Sequence, residues 1–247
     1  MKKWCIALLL IFSASAQAKV FNLKEETFAA YFGMTGGPSS MGQSAFENEA
    51  GTGVTYTSGV NYIYTGEFGV IYSRPRFNLR FGLEILRPQY LENLVGHGSS
   101  DLYTETSSIL GYAPKVTLEV NLVSTDKFRT FIEGSLGAAN VTVKNSYTLT
   151  AAGQSAYPGM DTDMEAKGSG TLWSAGAGCE ILMSDTTTFA LEAGYRSLDI
   201  TNLKYSKDRN LFGTTHVSGD PVLDNGGSRN LNFTGAFIGA AFRFYLQ

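Results

Sequence analysis

The sequence is poor in cysteine, in histidine and in long apolar runs, and each shortage narrows what the chain can be. It has 2 cysteines, Cys5 and Cys179, and 2 histidines among 247 residues. Beyond the first eighteen residues only Cys179 remains, so that part of the chain forms no internal disulfide. Beyond residue 18, no run of about eighteen apolar residues occurs, so the sequence predicts no transmembrane helix.

Basic residues are also in short supply. The chain has 19 Lys and Arg against 22 Asp and Glu, which gives a formal net charge of −3. Proteins that bind nucleic acid present a basic face, so the composition argues against nucleic acid as a partner. Small and aromatic residues are abundant instead, with 28 Gly, 13 Tyr and 16 Phe.

The first eighteen residues have the three parts of a secretory signal peptide. Lys2 and Lys3 form the basic start, residues 6–12 the apolar run, and Ala16-Gln17-Ala18 the cleavage site. We therefore expect residues 1–18 to be removed and residues 19–247 to form one exported domain. Loss of Lys2 and Lys3 leaves 17 basic residues against 22 acidic ones, a formal net charge of −5. A frayed helix on a cytosolic protein is the alternative.

Apolar and polar residues alternate with a period of two along much of the chain, which indicates β-strands with one apolar face. In the segment 77–85, FNLRFGLEI, every odd-numbered residue is apolar. Tilted strands of about 9–11 residues cross a bilayer. The pattern predicts eight such strands, at 28–34, 62–72, 77–85, 109–123, 131–138, 173–181, 189–196 and 238–246.

Short and long connections alternate between these segments. The short ones lie around 74–76, 124–127 and 184–187, and the long polar ones around 36–53, 87–108, 144–169 and 204–229. Outer-membrane barrels have short periplasmic turns and longer extracellular loops. The sequence therefore predicts an all-β fold, a closed eight-stranded antiparallel up-and-down transmembrane β-barrel with four long extracellular loops.

Charged residues occupy the face of the strands opposite the apolar one. An Arg or Lys facing lipid at mid-depth costs about 2–4 kcal/mol, so these residues are expected to face the lumen and pair there. An eight-stranded barrel is just wide enough for side chains to fill it. The predicted lumen charge network is Glu67, Arg80, Glu84, Lys115, Glu119, Glu133, Glu180, Glu192, Arg196 and Arg243. Inward glycines are expected to make room for these side chains, at Gly69, Gly82, Gly111, Gly137, Gly176, Gly178, Gly194 and Gly239.

A soluble sandwich or a lipocalin-like barrel would show the same alternation, with its polar face in water. Such a fold does not easily account for apolar faces this aromatic or for the ordered alternation of connections. Aromatic residues near strand ends are typical of the girdles at membrane interfaces, although aromatics are also ordinary strand residues. The predicted interface aromatics are Tyr62, Tyr64, Tyr72, Tyr112, Trp173 and Tyr195.

The last residues, GAAFRFYLQ at 239–247, form a glycine followed by alternating aromatic and apolar residues. In this the chain resembles the small outer-membrane β-barrel family that contains the transmembrane domain of outer-membrane protein A and its short relatives. The family usually ends in phenylalanine, whereas this chain ends in Gln247. The residues that match the family's C-terminal insertion signal are Gly239, Phe242, Phe244 and Leu246.

The resemblance implies location in the outer membrane of a Gram-negative bacterium and contact with outer-membrane lipid and lipopolysaccharide. It also implies that periplasmic chaperones and the barrel-insertion machinery handle the chain during biogenesis. Relatives pair acidic and basic lumen residues, which Glu67, Arg80, Lys115 and Glu133 could reproduce here. Which acid meets which base stays open at this point.

Some eight-stranded outer-membrane barrels act on lipid A, and a deacylase needs a serine beside a histidine base and an orienting acid. His216 and Ser218 have the required spacing, with Asp220 nearby. They lie among Gly, Asp and Pro, so we interpret them as an exposed polar loop. Asp208, Asp220 and Asp224 match no calcium loop, and Cys179 falls among small residues on the apolar face. We expect no catalytic site, metal or cofactor.

The sequence therefore predicts a non-enzymatic outer-membrane barrel that displays surface loops and supports envelope integrity or surface contacts. The ligand of those loops stays unknown. The alternative is a small porin-like pore in which Glu67, Glu84, Glu119 and Glu133 favour cations.

Overall fold

The computed structural model describes residues 21–42, 56, 58–224 and 227–246. The predicted signal peptide at 1–18 and the terminal Gln247 lie outside these residues. In chain order the elements are β1 (Phe28–Gly42), β2 (Val60–Ser73), β3 (Phe77–Pro88), β4 (Leu91–His97), β5 (Asp101–Ser124), β6 (Phe128–Leu149), α1 (Ala151–Ala156), β7 (Asp163–Leu182), β8 (Thr187–Ile200), β9 (Lys204–Tyr205), β10 (Arg209–Leu211), β11 (Thr214–His216), β12 (Leu223–Asp224), β13 (Gly227–Ser228), β14 (Leu231–Asn232) and β15 (Gly235–Leu246).

Eight of the strands form a closed ring of antiparallel pairs. The order is β8, β15, β1, β2, β3, β5, β6 and β7, and β7 pairs back onto β8. Each of these strands therefore has a hydrogen-bonded neighbour on both sides, so the ring has no free edge. The fold is the predicted eight-stranded antiparallel transmembrane barrel, and all eight predicted strands are present.

The predicted faces of the strands are also confirmed. On β1 the side chains of Phe28, Phe32 and Met34 point outward and are about half exposed, while Ala29 and Tyr31 point into the barrel and are buried. Every barrel strand repeats this arrangement over the part nearest the short turns. The result is a band of apolar outward residues around the barrel, which is the surface that lipid requires.

The short turns were predicted correctly, but the long loops were predicted to be longer than they are. Strands β5, β6 and β7 have 24, 22 and 20 residues and run far into the segments 87–108 and 144–169. β1 likewise continues to Gly42, inside the predicted loop 36–53. The remaining parts of 87–108, 144–169 and 204–229 contain the β4–β5 hairpin, α1 and short paired strands. We call this side of the barrel the loop end and the opposite side the turn end.

The error has a physical cause, which is a reversal of polarity along the strands. On β6 the outward residues Ile132 and Leu136 are apolar, whereas Lys144 and Ser146 further along the same outward face are polar and exposed. The inward residues change in the opposite sense, from Glu133 to the buried Val143. Beyond the apolar band the wall therefore has water-facing polar residues outside and an apolar core inside, as in a soluble protein.

The N-terminal segment 21–27 closes over the turn end. It starts from β1 and reaches the turn between β5 and β6 on the opposite side of the ring, where Leu23 N donates to the Asp126 carbonyl at 3.2 Å. Leu23 is fully buried and packs in a small apolar cluster with Ile71 and Tyr245.

Among the described residues, no helix is long and apolar enough to span a membrane.

Candidate functional site

The middle of the lumen holds the charged residues that the sequence placed there. Each of the ten lies on the inner face, with its side chain buried or nearly so, and each takes part in at least one ion pair. Alternation assigns them to this face, because successive residues of a strand point to opposite faces. Their pairing, which the sequence left open, follows from the geometry below.

Two of the acids lie directly opposite each other on neighbouring strands. Glu67 on β2 is in register with Glu84 on β3, and like charges in such positions repel. Lys115 of β5 bridges them, with its Nζ 2.7 Å from Glu67 Oε2 and 3.0 Å from Glu84 Oε2. Tyr31 donates a hydrogen bond to Glu67. One cation therefore holds together a pair of carboxylates that the register forces into proximity.

A second acid pair is bridged in the same way. Glu119 on β5 is in register with Glu133 on β6. Arg80 Nη1 lies 3.3 Å from Glu119 Oε1, and its Nη2 lies 3.0 Å from Glu133 Oε2. The same guanidinium reaches Glu192 Oε2 at 3.0 Å. Because β3 and β8 are four strands apart in either direction around the ring, the contact between Arg80 and Glu192 spans the barrel's full width.

Two further ion pairs join opposite walls of the barrel. Arg196 on β8 reaches Glu84 on β3, with 2.6 Å between Nη2 and Oε1. Arg243 on β15 reaches Glu119 on β5 at 2.7 Å, and β15 and β5 are again four strands apart. These side chains therefore cross-brace the barrel. Buried Arg–carboxylate contacts of this kind are strong and geometrically specific.

Sequence reasoning missed a charged member of this network, Arg129. Its side chain is fully buried on β6, in register with Glu180 of β7, and Nε donates to Glu180 Oε2 at 3.0 Å. Nη1 donates to Ser73 Oγ at 3.0 Å and to Asn78 Oδ1 at 2.9 Å. The alternation could have identified Arg129, because it is an even number of residues from the inward Glu133 and so lies on the same face of the strand. It was lost because the strand was started at residue 131.

With Arg129 included, the network has six acidic and five basic residues, and it separates into two groups of ion pairs. Glu67, Glu84, Lys115 and Arg196 form a balanced group. In the second group, Arg80, Arg129 and Arg243 face four acids, Glu119, Glu133, Glu180 and Glu192. By count, the second group therefore has one more acid than base.

Close packing of this network depends on inward glycines at several of the predicted positions. A Cβ on Gly82 would lie 2.1 Å from the Tyr31 hydroxyl and 2.6 Å from Glu67 Oε1. A Cβ on Gly176 would approach Glu133 Oε1 to 3.3 Å. The space that a side chain would fill at these positions is used by Glu67, Tyr31 and Glu133.

Above the network, toward the loop end, buried apolar side chains pack together inside the barrel. Buried residues from the barrel strands and from the loop-end segments form one cluster, which includes Met41, Leu86, Val143, Leu172, Leu198, Ile200, Val222 and Phe233. This core was not predicted, because the segments that supply much of it were interpreted as loops. The lumen therefore changes from charged to apolar along the barrel axis.

One carboxyl group, Glu105 of β5, lies within this apolar region. It is outside the apolar band, since Leu110 is the last exposed apolar residue on the outer face of β5 and residues 104, 106 and 108 beyond it are polar. Tyr56 Oη donates to Glu105 Oε2 at 3.2 Å and lies 2.7 Å from the Tyr103 hydroxyl. Burial raises the pKa of Glu105 to about 8, although the charge of Arg229 and the bond from Tyr56 act in the opposite direction.

The six predicted interface aromatics lie on the outer face of the barrel. Tyr62, Tyr64, Tyr112, Trp173 and Tyr195 are about half exposed, and the half-buried Tyr72 lies near the turn end beside Phe28, with 5.4 Å between ring centroids. Their role at the lipid interface stays a prediction. On β15, Phe242, Phe244 and Leu246 also point outward, and recognition of this strand by the insertion machinery likewise stays a prediction.

In the segment that the sequence predicted to be an exposed polar loop, Ser218 and Asp220 are exposed, but His216 is buried. His216 lies on β11, is 7% exposed and stacks on Tyr205 with ring centroids 4.5 Å apart. The Ser218 hydroxyl donates to the Ser206 carbonyl at 3.2 Å, and Asp220 Oδ2 accepts from the Val217 amide at 2.8 Å. The interpretation failed for His216 because Tyr205 of β9 provides a packing surface for the imidazole.

The loop aspartates act as backbone acceptors. Asp208 Oδ1 accepts from the Ser218 amide at 2.7 Å, much as Asp220 accepts from Val217. Within the described residues no group of three or more His, Cys, Asp or Glu side chains is placed to hold a metal ion, and the side chain of Asp224 lies outside them. Cys179 is a half-buried free thiol on the outer wall beside Ala177 and Leu191.

Neither a family model nor a curated protein sequence matches this chain. Among solved structures, outer membrane protein OprG from Pseudomonas aeruginosa is 13% identical with a TM-score of 0.46, over 92% of this chain and 99% of that chain. Neisserial surface protein A is 10% identical with a TM-score of 0.38, over 88% and 96%. Outer membrane protein AlkL is 9% identical with a TM-score of 0.41, over 95% and 96%. The chain is thus similar to small outer-membrane β-barrel proteins.

Proposed function

We propose that this chain is a non-enzymatic integral outer-membrane barrel of a Gram-negative bacterium. In this account its lumen is filled by paired charges and an apolar core. Its loop end is displayed outside the cell, where it supports envelope integrity or surface contacts. The observation that carries the proposal is the reversal of polarity along β5, β6 and β7. A strand needs an apolar outer face only where it meets lipid, and a polar one where it meets water.

The filled lumen is supported by the side chains that meet across the barrel. Ion pairs join opposite walls at Arg80–Glu192, Arg196–Glu84 and Arg243–Glu119. Leu23 packs over the turn end, and apolar side chains fill the loop end. An eight-stranded barrel leaves little room beyond its own side chains. In this account the barrel acts as a rigid anchor for its exposed loop end.

Surface labelling in intact cells tests the location and orientation. A membrane-impermeant amine reagent is expected to modify Lys144, Lys167 and Lys204, which are exposed at the loop end. Lys24 and Lys127 at the turn end are expected to react only after the outer membrane is permeabilised, and they serve as the internal control. Labelling of Lys24 and Lys127 in intact cells would contradict the orientation. Recovery of a folded chain from the soluble fraction would contradict membrane insertion.

A small cation-preferring pore is the second candidate. The observation in its favour is the one extra acid in the second group of ion pairs, since rings of acids favour cations. It requires the ion pairs between opposite walls to separate, and single-channel conductance decides between the two candidates.

A further inference from the structure

Exposed lysines of the loop end gather on one side of the barrel wall. Lys144 lies on β6, Lys167 on β7 and Lys204 on β9, and all three are exposed. Their strands are adjacent, because β7 pairs with β6 on one side and with β9 on the other. We call these three residues the lysine ridge.

The register of the ridge brings two like charges together. Lys167 and Lys204 are directly opposite each other on antiparallel strands, so both side chains point to the same face, and such pairs of like charge repel. Glu165 approaches Lys167 at 3.2 Å and Lys144 at 3.8 Å, but Lys204 forms no ion pair with any described residue. One carboxylate thus pairs with two of the three ammonium groups.

Three of the other acids near the ridge have partners of their own, and the exposed Asp199 on β8 lies about four residues closer to the apolar band. Asp163 is paired with Arg209 at 2.7 Å. Asp208 and Asp220 accept hydrogen bonds from backbone amides of their own loop. The ridge therefore presents ammonium groups whose counter-charge is incomplete, and a phosphate could lie between Lys167 and Lys204.

The height of the ridge indicates where that phosphate comes from. Toward the loop end, the last bulky apolar residue on the outer face of β7 is Trp173. Lys167 lies six residues further in that direction, earlier in the chain. At about 3.3 Å per residue this is roughly 20 Å along the strand, or about 15 Å above the apolar band for the usual tilt. In the proposed orientation this is the sugar layer of the outer leaflet. The wall between has residues that can bond sugars, including Thr171, Ser169, Asn140 and Thr142.

We propose that the lysine ridge binds the phosphorylated core sugars of an outer-leaflet glycolipid, whose acyl chains lie against the apolar band below. The inference rests on the proposed outer-membrane location and names the partner that this face of the barrel fits. The ligand of the ridge is then an anionic sugar located above the membrane surface. The lysines lie too far from the apolar band to reach phosphates at the acyl-chain boundary.

The test compares two double variants that each remove two positive charges. Lys167→Gln with Lys204→Gln alters the ridge, and Lys24→Gln with Lys127→Gln alters exposed lysines at the turn end. Wild type and both variants are refolded into nanodiscs, and binding of rough lipopolysaccharide with a phosphorylated core is titrated. We expect the ridge variant to bind about tenfold to thirtyfold more weakly, with a shallower salt dependence, and the turn-end variant to match wild type.

Three further ligands locate the recognised group. Removal of the core phosphates is expected to weaken binding to wild type to the level of the ridge variant. Lipid A without core sugars and phosphatidylglycerol are each expected to bind wild type and ridge variant alike. Equal binding of the phosphorylated core by wild type and ridge variant would overturn the proposal, as would an equal difference with phosphatidylglycerol. Failure of wild type to insert into nanodiscs would instead overturn the proposed function, so the two failures are distinguishable.

Discussion

Arg80 on β3 and Glu192 on β8 lie on opposite walls of the barrel, and their side chains meet at 3.0 Å. Arg80 also contacts Glu119 and Glu133, so one guanidinium serves three carboxylates taken from three other strands. Loss of one partner from a buried charge network leaves the others uncompensated, which costs about 3–5 kcal/mol.

Arg80→Met is therefore expected to lower the free energy of unfolding by about 3–5 kcal/mol. Arg87 lies on the same strand but is exposed on the outside, so Arg87→Met is the matched control and should change stability by less than about 0.5 kcal/mol. Urea unfolding in lipid vesicles, followed by tryptophan fluorescence, measures both. Equal effects of the two changes would mean that the cross-brace contributes nothing.

The bridge between Glu67 and Glu84 gives a prediction about coupling. Lys115→Met leaves the two carboxylates in register without their shared cation, and we expect a loss of about 3 kcal/mol. Glu67→Gln in the same chain removes one of the repelling charges and should restore part of that loss. A double-mutant cycle with the two single variants and the double variant gives the coupling energy. Strict additivity would contradict the bridging role of Lys115.

The polarity reversal on β6 predicts that an outward arginine is tolerated at one height and rejected at another. Leu136 is 67% exposed and lies in the apolar band, so Leu136→Arg should cost about 2–4 kcal/mol. Ser146 points outward on the same strand beyond the band, so Ser146→Arg should be nearly neutral. Folding yield and unfolding free energy in vesicles measure both. A neutral Leu136→Arg would place the lipid boundary elsewhere.

Glu105 predicts a pH dependence that belongs to the loop end. Burial raises its pKa to about 8, so the folded barrel holds this proton more tightly than the unfolded chain does. Its contribution to stability is complete below the ordinary carboxyl pKa and is lost as the pH rises through about 8. Glu105→Gln stays neutral, so this variant should gain stability relative to wild type between pH 5 and pH 9.

The measurement is the difference in unfolding free energy between wild type and Glu105→Gln at several pH values in that range. Glu92 is an exposed carboxyl on β4, and Glu92→Gln is the control, expected to differ from wild type by an amount independent of pH. If the difference in unfolding free energy between wild type and Glu105→Gln does not change with pH, Glu105 is not held protonated in the folded barrel.

The barrel could be predicted from the sequence because its signal is local. Where lipid is outside and charge is inside, alternation such as Phe77, Leu79 and Phe81 against Asn78 and Arg80 is unmistakable over a few residues. The inward direction of the charges followed from the cost of placing them in lipid. Their pairing did not follow, because Arg80 and Glu192 are 112 residues apart and meet only once the ring closes.

The loop end could not be predicted by the same rule. There the strands still alternate, but the apolar residues point inward and the polar ones outward. Examples are the inward Val141, Val143 and Tyr147 and the outward Thr142 and Lys144. A search for apolar outer faces takes such a segment for a polar loop. The burial of His216 depended on a contact with Tyr205, eleven residues away, and no local pattern reveals that contact.

The most direct test of the filled lumen is single-channel conductance of residues 19–247, refolded in detergent and added to a planar bilayer. Insertion is verified first by protection of the membrane-spanning strands from protease. The account predicts an inserted barrel that stays electrically silent, because Arg80, Arg196 and Arg243 join its opposite walls. Discrete conductance steps from the wild-type barrel, altered by Glu133→Gln, would contradict the account and make the chain a pore controlled by its lumen charges.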